Sequence, residues 1–275
     1  MPGHSENPLA HVVDHDTLEL PYWNPPSFDW EIQLTDRFGF QLTRFMVMEV
    51  VASVLLILVL IPMVRHISRT AYSRGWFMNM FEAMLLFIRD DVARPAIGGH
   101  GADRFLPSLW TAFFFVLFNN LLGMIPGGAS ATGNVNVTGA LALMTLGVVI
   151  SAGVREMGFT GYWLGIVPHL DVPSWLKPPL WGLMFVIEIA GLLIRHIVLA
   201  VRLFANMFAG HVVLAVILGF ILMTKLWSGP FFLVTPASLV GVALLSLLEL
   251  FVAFLQAYIF TFLSALFIGS AVHPH

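Results

Sequence analysis

Two apolar stretches, Pro179 to Thr224 and Phe231 to Val272, constrain this chain more than any other feature. At about 1.5 Å per residue each would measure roughly 60–70 Å as a helix, whereas the hydrocarbon core of a bilayer is only about 30 Å thick. Each stretch is therefore two spans or one steeply tilted helix. After Pro179 the first contains isolated glycines (Gly182, Gly191, Gly210, Gly219) but no proline and no cluster of turn residues, which favours a single long helix. The second has Pro236 near its beginning, a helix-start position, and then no proline until Pro274, so it reads the same way.

Three ordinary spans precede them, approximately Phe45–Val64, Pro107–Pro126 and Val137–Val154. With 58% apolar and 11% charged residues, a soluble domain of 275 residues could not hide this surface from water. The expected fold is an all-α integral membrane protein: vertical transmembrane helices, an interfacial amphipathic helix, and two long, strongly tilted C-terminal helices forming a hairpin. The chain divides into an acidic segment (1–42), a first span with a basic loop (43–106), a helix pair (107–157), a loop (158–178) and the long hairpin (179–272). No internal repeat is seen.

Charge sets the expected orientation. Arg65, Arg69, Arg74, Arg89, Arg94 and Arg104 fall in the loop after the first span, which the positive-inside rule places in the cytoplasm. Five crossings then leave the N-terminus outside and the C-terminus inside. The first 42 residues hold seven acids and one base, the reverse of a signal peptide's basic start, and read as a mature segment. Within the basic loop, Arg74–Asp91 fits an interfacial amphipathic helix or an ordinary packed one. Thirteen basic against sixteen acidic residues leave a formal charge of -3, with no surplus to attract nucleic acid. The absence of cysteine excludes disulfides and thiolate chemistry. Neither a metal nor a cofactor is expected.

Charges at membrane depth are costly and each asks for a reason. The first long stretch holds Glu188, Arg195, His196, Arg202 and His211, and the second Glu249 and Gln256. Seven residues advance a helix by about 700°, close to two turns, so Glu188, Arg195 and Arg202 share a stripe with Asn206 one turn on. Ser246, Glu249, Ala253 and Gln256 form a small, polar stripe on the last helix. A hairpin folded at Ser228-Gly229-Pro230 brings Arg202 level with Gln256 and His211 level with Glu249. His211, nine residues beyond Arg202, lies about 180° around the helix and needs local unwinding or a neighbouring surface.

Blander readings stand beside these. Glu188 and Arg195 fit a neutralising pair as well as ion access, and His196 fits a packed histidine better than a ligand. Glu49 fits snorkelling near the headgroups. Asn119 and Asn120 fit helix–helix adhesion somewhat better than pore lining. Arg202 has no comparable alternative: it is mid-helix, permanently charged, and without an acid within a turn.

The run Arg202-Leu203-Phe204-Ala205-Asn206-Met207-Phe208-Ala209-Gly210-His211 resembles the diagnostic segment of subunit a of F-type ATP synthases. Leu255-Gln256-Ala257-Tyr258-Ile259-Phe260 is similar to its C-terminal signature. Phe118-Asn119-Asn120-Leu121-Leu122-Gly123-Met124-Ile125-Pro126, followed by Asn134-Val135-Asn136-Val137-Thr138, resembles an earlier one. The resemblance covers about residues 107–270 and implies a stator whose two long helices cup a ring of c subunits. It implies that Arg202 is the essential charge and Gln256 its neighbour, with His211 and Glu249 in the outer access channel and Glu188 near the cytoplasmic exit. Asn206 joins that path, with Asn119, Asn120, Arg195 and Ser246 as further lining candidates. It also implies peripheral-stalk b subunits, the rest of the synthase and membrane lipid as partners, in an energy-coupling membrane such as the bacterial inner membrane.

A secondary ion-coupled transporter would also gather charges at midplane, but its paired broken helices in two similar halves are not found. An intramembrane hydrolase or haem protein lacks support, because neither His-Glu-x-x-His nor Gly-x-Ser-x-Gly occurs and His196 and His211 stand about 60° apart on a helix. Cysteines introduced at the heights of Arg202 and Gln256 are expected to cross-link. Absence of product from these positions and their immediate neighbours would remove the register.

Overall fold

The computed structural model describes residues 17–18, 32–33, 44–69, 75–99, 101–124, 131–167, 173, 176–224, 229 and 231–272. Apart from a two-residue antiparallel ladder, β1 (Thr17–Leu18) against β2 (Ile32–Gln33), its regular elements are helical. The rest of the acidic 1–42 segment and most of the Ser228–Pro230 turn lie outside the described residues.

Helix α1 (Arg44–Arg69) carries a 17-residue apolar run, Met46–Pro62, with Pro62 inside it. Four further helices are long and apolar enough to cross a membrane: α4 (Leu106–Gly123), α5 (Val135–Gly165), α6 (Lys177–Met223) and α7 (Phe231–Val272). Helices α6 and α7 are continuous over 47 and 42 residues, as the lack of internal breakers predicts. Pro178 and Pro179 occupy the first turn of α6, where their missing N–H groups cost nothing.

Two details depart from expectation. Pro236 lies inside α7 rather than at its start, because the helix already begins at Phe231; the proline forfeits one backbone bond in the second turn. The first stretch of α5 ends at the expected loop start, where Gly158 (φ 76°, ψ 163°) breaks the helix, and a short helical stretch follows from Phe159 to Gly165 inside the expected loop. A residue with a side chain pays for that positive φ, whereas glycine does not. Beyond it the sequence from Phe159 to Gly165 has no proline and resumes helix.

The expected amphipathic segment is a composite. Helix α2 (Trp76–Phe87) passes into a π-helical turn (Ile88–Ala93) and then α3 (Arg94–Ile97). It both packs and faces outward: Phe81 and Ile88 are buried while Trp76 is 81% exposed. Asp90 accepts hydrogen bonds from Arg89 and Arg94, and the Arg89 bonds, followed by the charges of both guanidinium groups, hold its carboxyl below the usual range.

The described residues cluster into two compact units, each drawing on three segments of chain. The first takes residues within Met1–Ile57, Phe115–Val137 and Leu203–Gln256; the second takes Leu58–Phe114, Thr138–Arg202 and Ala257–His275. In the second unit, Phe81 stacks on Phe114 with centroids 5.5 Å apart, and the Trp110 indole donates to the Leu85 carbonyl at the turn before the π-helix. Glycines permit its closest approaches. A Cβ on Gly269 would overlap the Ala96 carbonyl, and one on Gly153 would overlap the Tyr162 ring. Arg104 and Glu156 form an ion pair at 3.2 Å between the starts and ends of neighbouring helices.

Candidate functional site

The first unit holds a polar seam between two antiparallel helix segments, 203–223 of α6 and 231–256 of α7. Three contacts fix its register. The Asn206 amide donates to Gln256 Oε1 at 2.7 Å, Gly210 lies against the Glu249 carboxylate, and Ile217 faces Gly241. All three pairs are centred within two residues of Gly229, the turn expected from the sequence.

Glu249 and Gln256 are buried, 8% and 2% exposed. Glu249 Oε1, Gln256 Nε2 and His211 Nε2 are each buried without a hydrogen-bond partner, a state that typically costs about 1–3 kcal/mol per group. Three such atoms fall in one seam. His211 and Glu249, aligned by the hairpin arithmetic, make no direct hydrogen bond. The residue facing Glu249 is Gly210, whose missing side chain makes room for the carboxylate, and His211 stands about 100° further round the helix. Helix α6 does not unwind there; it remains helical from Lys177 to Met223.

A second polar group flanks the seam within the same unit. Asn120, fully buried, donates to the Ala253 carbonyl of α7 at 3.4 Å and accepts a hydrogen bond from Thr132 at 2.9 Å. Asn119 donates to the Phe115 carbonyl of its own helix. Asn120 thus ties α4 to α7. Ser246 is half-buried on α7.

The remaining predicted site residues belong to the second unit. Arg202 is half-buried on α6 and, among the described residues, has neither a hydrogen bond nor an ion pair. Glu188 is half-buried and Arg195 exposed on the same helix, and they form no ion pair with each other. His196 is a packed histidine: it is 3% exposed, bonded through Nδ1 to the Leu192 carbonyl at 2.8 Å, with its ring against Phe267.

Two participants were missed from sequence. Gly210 could have been found by extending the hairpin arithmetic to residues without polar atoms. Thr132 gave no signal, lying in an uncharged glycine-rich stretch. No group of three or more metal-ligating side chains occurs among the described residues.

The architecture defines a multi-pass membrane protein whose two longest helices pair through a buried polar seam. A profile of the family described as ATP synthase A chain matches residues 46–269. The chain belongs to that family. It is 40% identical over 294 residues to the ATP synthase subunit a of Anaeromyxobacter dehalogenans (strain 2CP-C), covering 99% of this chain and 73% of that protein. It is 41% identical over 238 residues to the subunit a of Chloroherpeton thalassium (strain ATCC 35110 / GB-78), covering 86% and 68%. Against ATP synthase subunit a 2 of Chlorobaculum tepidum (strain ATCC 49652 / DSM 12025 / NBRC 103806 / TLS) it is 38% identical, covering 96% and 72%. Membership places the chain in the membrane F0 sector with the rest of an F-type ATP synthase as its assembly, and does not favour a transporter.

The Gly210–Glu249 contact is directly testable. Gly210→Ala is expected to lower the stability of the protein by about 1–3 kcal/mol through overpacking, and Glu249→Ala in the same chain to recover most of that loss. Thermal unfolding of the single and double variants measures it; an undiminished loss in the double variant would show that the two residues do not press on each other.

Proposed function

We propose that this chain is the proton-conducting stator of F0, coupling proton movement to rotation of a c-ring and leaving the ATP chemistry to other subunits. The observation that carries the reading is the unpartnered Arg202. A guanidinium on a membrane helix needs an anion, and the described residues of this chain supply none. A carboxylate carried past by a ring of c subunits would meet that need once per step.

The chemistry follows from the charge. A ring carboxylate arriving protonated loses its proton beside Arg202, because an adjacent cation favours the ionised form. The same fixed cation repels a proton attempting to pass straight through. Two half-channels then meet at Arg202 without joining. The seam of His211, Glu249, Asn206 and Gln256 serves the outer half-channel, where its orphaned polar atoms would be satisfied by water and where histidine, with an ordinary pKa near 6.5, can take and give a proton. Glu188 serves the cytoplasmic side, with Arg195 alongside; Asn119, Asn120 and Ser246 support the outer path. The membrane potential contributes about 2.3 kcal/mol per charge per 100 mV.

The arginines of the first loop support an N-terminus outside and a C-terminus in the cytoplasm, and the bacterial relatives support an inner membrane as its location. Helices of about 60–70 Å in a core of about 30 Å must tilt strongly, which presents the long α6–α7 face to the ring. Peripheral-stalk b subunits hold the stator against torque.

Glu249→Gln keeps the side chain's shape and removes its exchangeable proton, so proton flux is expected to fall while assembly persists. Unchanged ATP-driven pumping would take Glu249 out of the path. Arg202→Ala is expected to abolish ATP-driven pumping in assembled complexes and to open a passive proton leak. Arg202→Lys should block the leak at least partly yet fail to support coupled synthesis, because lysine loses the planar fork and can deprotonate. Fluorescence quenching in inverted vesicles, normalised to complex content, measures both activities. Normal coupled pumping by Arg202→Ala would overturn the reading.

A further inference from the structure

Within the second unit, α4, α5 and the C-terminal part of α7 enclose an open groove of about 330 Å³ walled by Pro107, Ala112, Met144, Val148 and Ile268. Of the hydroxyls that line it, Ser108 is exposed and three others are committed. Thr111 donates to the Pro107 carbonyl, Thr145 to Ala142 and Ser264 to Phe260, each along its own helix. What remains, apart from the Ser108 hydroxyl, is an apolar wall, which water satisfies poorly and hydrocarbon fills well. Met144 is 56% exposed and the neighbouring Leu143 67% exposed, so the α5 side faces outward.

Beyond one end of the groove the α5 face leads to an arginine. On α5, Met144, Val148, Ser151 and Arg155 follow the i, i+4, i+7, i+11 spacing of a single helix face. Arg104, just before α4, pairs with Glu156 at 3.2 Å across the same end, and Asp103 leans toward Arg94 at 3.8 Å. The neighbouring acids are thereby engaged. Arg155 is exposed and, among the described residues, makes neither a hydrogen bond nor an ion pair. An apolar trough with an uncommitted guanidinium on the same helix face, two turns beyond Val148, matches one ligand chemistry: an acyl chain joined to an anionic phosphate, which arginine binds through its planar fork. We infer that this groove is a site for an anionic phospholipid, with one acyl chain along α4 and α5 and the phosphate on Arg155. The inference rests on the membrane-spanning architecture and is independent of the proton path.

The test uses the assembled complex, wild type and Arg155→Gln, reconstituted in nanodiscs of equal phosphatidylglycerol and phosphatidylcholine and then washed with mild detergent. Retained lipid is quantified by mass spectrometry. Wild type is expected to keep phosphatidylglycerol over phosphatidylcholine, Arg155→Gln to lower that retention roughly fivefold, and Arg155→Lys to keep most of it. Ala112→Trp, which fills the groove, should lose both lipids. Unchanged phosphatidylglycerol retention in Arg155→Gln refutes the site. So does release of a peripheral-stalk subunit by Ala112→Trp with lipid retention intact, since the groove would then hold a protein helix.

Discussion

Hydrocarbon offers no hydrogen bonds, and the organisation of this protein follows from meeting that condition inside each helix. Backbone groups are satisfied along α4 to α7, so side-chain polarity becomes scarce and locatable. Many of the polar side chains that do occur bond back to their own helix, as those of Thr111, Thr145, Thr261 and Ser264 do, and a few reach across to another. The cross-helix bonds of Asn206 and Asn120 carry unusual structural weight because so few exist. Only 17% of the apolar windows of α6 and α7 is buried, against 50% for α4, so much of the two long helices is left to lipid or to other subunits.

Most of the fold was legible because its signals are long. An apolar run without proline predicts a continuous helix, and α6 and α7 obey it over their full lengths. The finer boundaries turn on single residues. The expected loop start at 158 coincides with a backbone break at Gly158, and the short helical stretch from Phe159 to Gly165 beyond it is what the sequence reading lacks. Helix α7 spans the predicted apolar stretch from Phe231 to Val272, and Pro236, expected near its start, falls in the second turn. The π-helical turn at Ile88–Ala93 carries no pattern in sequence that separates it from ordinary helix.

The candidate site was legible in register more than in contact. Hairpin arithmetic matched heights along two helices to within one turn: Gln256, matched with Arg202, bonds to Asn206, one turn further along α6. Rotation about each axis is a finer quantity, and arithmetic on residue numbers does not contain it. Hence His211 was matched with Glu249, whereas the side-chain-free Gly210 is what faces that carboxylate. Buried orphan atoms at His211, Glu249 and Gln256 are likewise invisible in sequence, since they depend on what neighbours fail to provide.

The Asn120–Ala253 bond joins residues 133 positions apart. Synthesis runs from the N-terminus at about 5–20 residues per second, so Asn120 exists on the order of ten seconds before its partner on α7 is made. During that interval a bare amide would be free to recruit a wrong helix. Thr132, only 12 positions on, reaches the Asn120 carbonyl oxygen and occupies half of the amide early. The amide nitrogen is the half whose partner is made only with the last helix.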